Sequence, residues 1–152
     1  AWAAPPAPKA PIVVDQHGCT YAPHVLGAQV GQPVTFLNSD PLLHNVDVAP
    51  THRAPYNLSM PAPGMKLTRT FDQTELMVRV KCDVHPWMSA WIGVLPHPWF
   101  AVSDADGAFS IAGVPPGDYV LEAWHETYGR LSVPVTVAAK GAAEAGFTFK
   151  VP

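Results

Sequence analysis

Short runs in which apolar and polar residues alternate recur along this chain, and nearly every run is closed within a few positions by proline, glycine or asparagine. Period two with frequent punctuation predicts β-strands, because successive side chains of a strand point to opposite faces. A first set is expected at Ile12 to Asp15, His24 to Val30, Pro33 to Leu37, His44 to Val48, Leu67 to Phe71, Leu76 to Cys82 and Ala90 to Leu95. The turns between them include Gly31-Gln32-Pro33, Asn38-Ser39-Asp40-Pro41 and Pro61-Ala62-Pro63-Gly64. A second set follows Pro96-His97-Pro98: Trp99 to Ser103, Ala108 to Ile111, Asp118 to Trp124, Leu131 to Ala138 and Gly146 to Val151. Asp104-Ala105-Asp106-Gly107 and Pro115-Pro116-Gly117-Asp118 are its turn signals.

The expected fold class is therefore all-β, a Greek-key β-sandwich followed by a smaller β-sandwich unit. The divisions are a Pro/Ala-rich lead-in at 1–10, a first domain at 11–96 and a second at 97–152. The lead-in, with Trp2, is a candidate edge strand for the second domain. Composition agrees, since 18 Pro and 11 Gly in 152 residues leave little room for long helices, while 48% hydrophobic residues suffice for a core. With 9 basic and 12 acidic side chains the net charge is −3, which gives no electrostatic footprint for nucleic acid or an anionic membrane. No apolar run reaches the roughly 18 to 20 residues of a spanning helix. The opening Ala1-Trp2-Ala3-Ala4-Pro5-Pro6-Ala7-Pro8 has the small-residue character found after a signal-peptide cleavage site, so export, as to a periplasm, is expected. Two cysteines in an exported chain raise the possibility of a disulfide between Cys19 and Cys82.

Candidate chemistry concentrates in one segment, Cys82-Asp-Val-His85-Pro-Trp-Met88. In the strand before it Val78, Val80 and Cys82 share one face and Met77, Arg79 and Lys81 the other, so the Cys82 thiol is aimed inward. A thiolate, an imidazole and a thioether within seven residues, with His44 on an earlier turn, form the ligand set of a type 1 copper site. Pro86 stiffens the loop, and Trp87 and Trp91 can shield it from water. The residues alone leave alternatives open: zinc held by C-x2-H and a remote His, completed by Cys19 or a carboxylate, or Met88 as core filling. Met60 and Met65 are weaker axial candidates.

The chain resembles the cupredoxins over roughly Pro11 to Leu95. The resemblance rests on Tyr21-Ala22-Pro23, on Val30-Gly31-Gln32-Pro33-Val34-Thr35-Phe36, and on Asn38-Ser39-Asp40 followed by His44-Asn45-Val46. It is completed by Cys82-x-x-His85-x-x-Met88, of the short amicyanin spacing, and Ile92-Gly93-Val94. It implies one copper ion cycling between Cu(I) and Cu(II), held by His44, Cys82, His85 and Met88, with His85 the more exposed imidazole and electron port. It also implies an electron carrier serving a redox partner protein; with no suitably placed carboxylate pair, nucleophile motif or second His-rich copper centre, no enzyme is expected, and a monomer is. A copper storage, delivery or sensing protein is the alternative.

By the same alignment Cys19 falls where plastocyanin-like members carry an apolar residue near the exposed histidine. Cys19, Asn45 and Trp87 are accordingly expected around the ligands. Cys19 is readable as a buried free thiol, as a disulfide partner, or as a participant in metal or redox chemistry. A binuclear centre is disfavoured because only Cys82 lies in the ligand loop. His17, His24, His52 and His97 read as ordinary polar residues, and His125, beside Glu122 and Glu126, as a strand-end network. Phe100 to Phe109 and Val114 to Tyr119 resemble the carboxypeptidase-regulatory-like (transthyretin-like) sandwiches over roughly Trp99 to Lys150, a match nearly silent on function. Asp104 and Asp106 suggest turn-forming chemistry ahead of calcium.

Overall fold

The computed structural model describes residues 3–150 and is all-β. The chain divides into two compact units, Ala3–Ser110 and residues from Ile111 onward. The first contains β1 (Ile12–His17), β2 (Thr20–Ala22), β3 (Val25–Gln29), β4 (Pro33–Asn38), β5 (His44–Val48), β6 (Tyr56–Met60), β7 (Lys66–Thr70), β8 (Glu75–Lys81) and β9 (Ser89–Leu95). They form a four-stranded sheet, β2-β1-β4-β7, and a five-stranded sheet, β3-β9-β8-β5-β6. Val14, Val34 and Phe36 of the first sheet and Val46, Val48, Val80, Ile92 and Val94 of the second are fully buried in one apolar cluster. This is the sandwich that period two predicts, with alternate positions of each strand supplying the core. No helix among the described residues is long and apolar enough to cross a membrane.

Two strands of this unit escape the sequence pattern. β2 has only three residues, joined to β1 by the two-residue turn Gly18-Cys19 with φ of 61° and 54°. Positive φ at both central positions marks a type I′ hairpin. β6 lies between prolines and reads as loop, yet Tyr56, Leu58 and Met60 alternate inward and pair it with β5.

β8 carries an irregularity between Glu75 and Val78, with Met77 at φ 60°. Glu75, almost wholly buried, accepts hydrogen bonds from the backbone N–H groups of Thr51 (3.0 Å) and His52 (2.9 Å). Burial pushes its carboxyl up, but the His52 and Thr51 N–H groups together outweigh burial and hold it below its ordinary range.

Several expected strands do not form. Residues 3–10 are not a strand; Pro5 and Ala10 carbonyls instead accept hydrogen bonds from the amides of Gln29 (2.7 Å) and Gln32 (3.3 Å). Trp2 lies outside the described residues. Trp99 to Ser103 and Ala108 to Ile111 are irregular. The Phe100 ring packs against Gly27 of β3, so close that a Cβ there would meet it at 2.2 Å. That packing takes the place of strand pairing. The Asp104 to Gly107 turn forms, with Asp104 Oδ1 accepting from Asp106 N (3.0 Å) and Ala108 N (2.9 Å), but its arms do not extend into a ladder.

In the second unit β10 (Gly117–His125) and β11 (Gly129–Val137) form a hairpin, and 146–150, expected as strand, is not one. Pro134 sits in β11 opposite Val120, which a two-stranded ribbon tolerates because each strand keeps a free edge. Two strands cannot enclose a core, and no side chain from 111 to 150 is fully buried.

Replacing Glu75 by Gln should cost about 1–2 kcal/mol of stability at pH 7, since one buried N–H loses a charged acceptor. Because the folded-state pKa is depressed, the carboxylate's contribution is complete above about pH 4.3 and fades as pH falls further. Urea midpoints of the two proteins should therefore differ at pH 7 and draw together as pH falls through the carboxylate's depressed titration range.

Candidate metal centre

Four segments bring the candidate ligands together. β4 ends at Asn38, whose side chain accepts from Asp40 N (2.9 Å) and donates to the carbonyls of Leu42 (2.9 Å) and Met60 (2.8 Å). These bonds pin the turn that delivers His44 to the start of β5, where it is completely buried. β8 delivers Cys82, 2% exposed, just beyond its last residue, and the loop to β9 carries His85 and Met88. Met88 N donates to His85 O (2.9 Å) and Cys82 N to Met88 O (3.2 Å), so the seven-residue segment folds back on itself. The fourth segment is the Gly18-Cys19 turn.

His44 is oriented from behind. Its Nε2 lies 2.9 Å from Asp40 Oδ2 in a buried contact. Asp40 also accepts from Cys19 N (2.9 Å) and Gly18 N (2.8 Å). The Cys19 N–H foremost, then Gly18 and His44, hold its carboxyl down at about 2 against the opposing effect of burial. An ionised carboxylate only accepts, so His44 Nε2 carries the proton and Nδ1 is left with a lone pair. That Nδ1 lies 3.0 Å from His85 Nδ1. Two nitrogens each about 2.0 Å from one ion stand about 3 to 4 Å apart, so the pair fits a shared metal.

Cys82 Sγ is 4.0 Å from His85 Nδ1 and accepts from His85 N at 3.4 Å. Asn45 Oδ1 accepts from Cys82 Sγ (3.2 Å) and from Asp83 N (2.7 Å), strapping β5 to the ligand loop. Asn45 Nδ2 in turn donates to Asn57 Oδ1 (2.7 Å) and Asp83 Oδ2 (3.1 Å). Tyr21 anchors this strap from below, its hydroxyl donating to the carbonyls of Asn45 and Lys81. Burial first, then the neighbouring Cys82, Asp83 and Asp47, raises the Tyr21 pKa far above its ordinary value, so the phenol stays a donor.

The distances above bring His44 to His85 and Cys82 Sγ to His85, while Met88, 1% exposed, is tied to Cys82 by a backbone hydrogen bond. Cys19 and Cys82 are both free thiols, which removes the disulfide reading. Cys19 is closer to the centre than a surrounding role implies: its Sγ and a ring nitrogen of each of His44 and His85 lie within 4.8 Å of one another. Trp87 is exposed, its ring 5.3 Å from that of His85, with Nε1 donating to Cys19 O (2.9 Å). Met60 is engaged elsewhere, its sulfur 3.0 Å from Gln16 Nε2, and Met65 lies at the surface. Sequence reasoning missed Asp40 as the partner of His44; the D-x3-H spacing was the available signal.

Of the other histidines, His17 is exposed, 3.7 Å from Asp40 Oδ1. His24 is exposed, with Nδ1 2.9 Å from Ser89 O. His52 is exposed, His97 stacks on Trp99, and His125 packs against Tyr128 and Phe149.

Two outcomes check this geometry. Nitrogen-15 NMR of the histidine rings in the metal-free protein should find His44 as the Nε2–H tautomer. Asp40→Ala should lower stability by at least about 2 kcal/mol in urea unfolding, because it strands three N–H donors.

No protein-family model matches the chain, and no curated protein sequence does. Among solved structures, an oxidised methionine-to-leucine variant of amicyanin is 26% identical with a TM-score of 0.50, covering 55% of this chain and 80% of that one. A Cu(I) form of a methionine-to-alanine variant of amicyanin is 26% identical with a TM-score of 0.48, covering 62% of this chain and 84% of that one. A copper-containing nitrite reductase from Thermus scotoductus is 26% identical with a TM-score of 0.48, covering 56% of this chain but only 22% of its own length. The first unit is thus an all-β sandwich similar to amicyanin.

Proposed function

We propose that this chain is a single-electron carrier with one copper ion held by His44, Cys82, His85 and Met88. The observation that carries the reading is the His44 ring, held at Nε2 by Asp40 and presenting Nδ1 to His85 Nδ1 at 3.0 Å beside the buried Cys82 thiol. Two imidazoles and a thiolate with a thioether suit both copper oxidation states. Copper bound there would supply reversible one-electron chemistry. The chain's own residues keep the surroundings fixed: Asp40 orients His44, Asn45 ties Cys82 to β5, and the His85 N–H donates to the Cys82 sulfur. Rigid ligands limit the reorganisation that accompanies each electron.

Similarity to amicyanin supports copper over zinc. His85 is the partly exposed ligand, and Val84 and Trp87 beside it are exposed apolar residues. A redox partner protein would dock on that face, and the chain would work in an exported compartment such as a periplasm, as a carrier and not as an enzyme. The turn motifs after Pro98 are read as those of a carboxypeptidase-regulatory-like module, of which only the residues from Ile111 onward form a separate unit. Storage or delivery of copper is the second reading, favoured by the Cys19 thiol at the site. Prompt loss of the ion to a chelator would support it over electron transfer.

One equivalent of Cu(II) should give an intensely coloured protein with a reversible one-electron couple in voltammetry, and Cys82→Ser should abolish the couple. A protein that stays colourless and retains zinc instead would sink the proposal.

A further inference from the structure

The Cys19 thiol has no place in a ligand set of two histidines, one cysteine and one methionine, yet it stands at the metal centre. Its Sγ shares with His44 and His85 a cluster whose donor atoms all lie within 4.8 Å of one another. We infer that Cys19 Sγ is a second thiolate donor to the ion held by His44, Cys82 and His85. The inference rests on the metal-site reading above and changes the chemistry of that site from one thiolate to two.

The backbone of Cys19 is fixed from both sides. Its N–H donates to Asp40 Oδ2, the same oxygen that meets His44 Nε2, and its carbonyl accepts from Trp87 Nε1 in the ligand loop. The turn carrying one sulfur is therefore tied directly to an imidazole ligand and to the segment carrying the other sulfur. With the Cα immobilised, the thiol position depends on a single side-chain torsion.

The position itself is unfavourable for cysteine. Cys19 occupies the second central place of a type I′ turn at φ 54°, where glycine meets no steric penalty and an L side chain costs roughly 1 kcal/mol. Glycine fills the first place, at Gly18. The side chain forms no disulfide and is only partly buried against the apolar core, so cross-linking does not account for it and packing does so only in part. Ligation does: a soft thiolate facing two imidazoles adds to the affinity for Cu(I). Two thiolates and two imidazoles also match a closed tetrahedral set, and Met88, with its weak thioether, then lies outside the strong donors.

The test is X-ray absorption at the copper edge on the full chain loaded anaerobically with one equivalent of Cu(I), compared with Cys19→Gly. The wild type should show two short sulfur neighbours, and Cys19→Gly one, with Cu(I) affinity at least tenfold weaker. Cys19→Gly without metal should unfold at the same urea concentration as wild type or a higher one, because the turn is relieved. One short sulfur in the wild type, or two persisting in Cys19→Gly, would overturn the inference while leaving the electron-carrier reading intact. A wild type that retains no copper would overturn both.

Discussion

The carboxylate of Asp40 is the contact on which the candidate metal centre depends. One side chain accepts hydrogen bonds from two backbone N–H groups of the β1–β2 turn and from the ring of His44. It therefore joins a hairpin of one sheet to His44, the candidate ligand at the start of β5 in the other. The three donors keep the carboxyl ionised, and ionisation in turn dictates which nitrogen of His44 is free. Placement of a ligand and choice of its tautomer thus follow from the same charge. Asp40 is itself positioned by Asn38, so the arrangement traces back to the turn at the end of β4.

A second strap works on another candidate ligand, Cys82. Asn45, next to His44, accepts from both Cys82 and Asp83, and Tyr21 holds the backbone of Asn45 in place. Asp40 governs the histidine and Asn45 the cysteine, and the two straps meet in adjacent residues of β5. Little of this stiffness comes from the ligand loop alone. It comes from the sandwich, whose interior valines fix the strands from which the straps project.

Much of this was legible in the sequence because strand periodicity and ligand spacing are both local. The alternation around Val78, Val80 and Cys82 gave the inward thiol, and the C-x2-H-x2-M spacing gave the loop. What the sequence concealed was non-local. Met60 read as loop because prolines bracket it, whereas its partner strand, β5, makes it an interior residue. The nearness of Cys19 followed from alignment alone, and its actual reach depends on a turn conformation unusual for cysteine. Asp40 was visible only as a turn residue, since nothing local announces that its charge serves two sheets. The tail erred in the other direction: alternation promised five strands where two pair, because alternation records which faces are apolar and not whether a neighbour exists to receive them.

Phe100 on Gly27 bears on where this chain can be cut. The segment after β9 looks like the start of a linker, yet its phenyl ring covers a β3 glycine that has no side chain to protect its own backbone. A fragment ending at Leu95 would leave that strip of β3 open to solvent. One running to Ser110 would carry its own cover. The glycine and the phenylalanine, 73 positions apart in the sequence, thus act as a built-in boundary marker for the first unit.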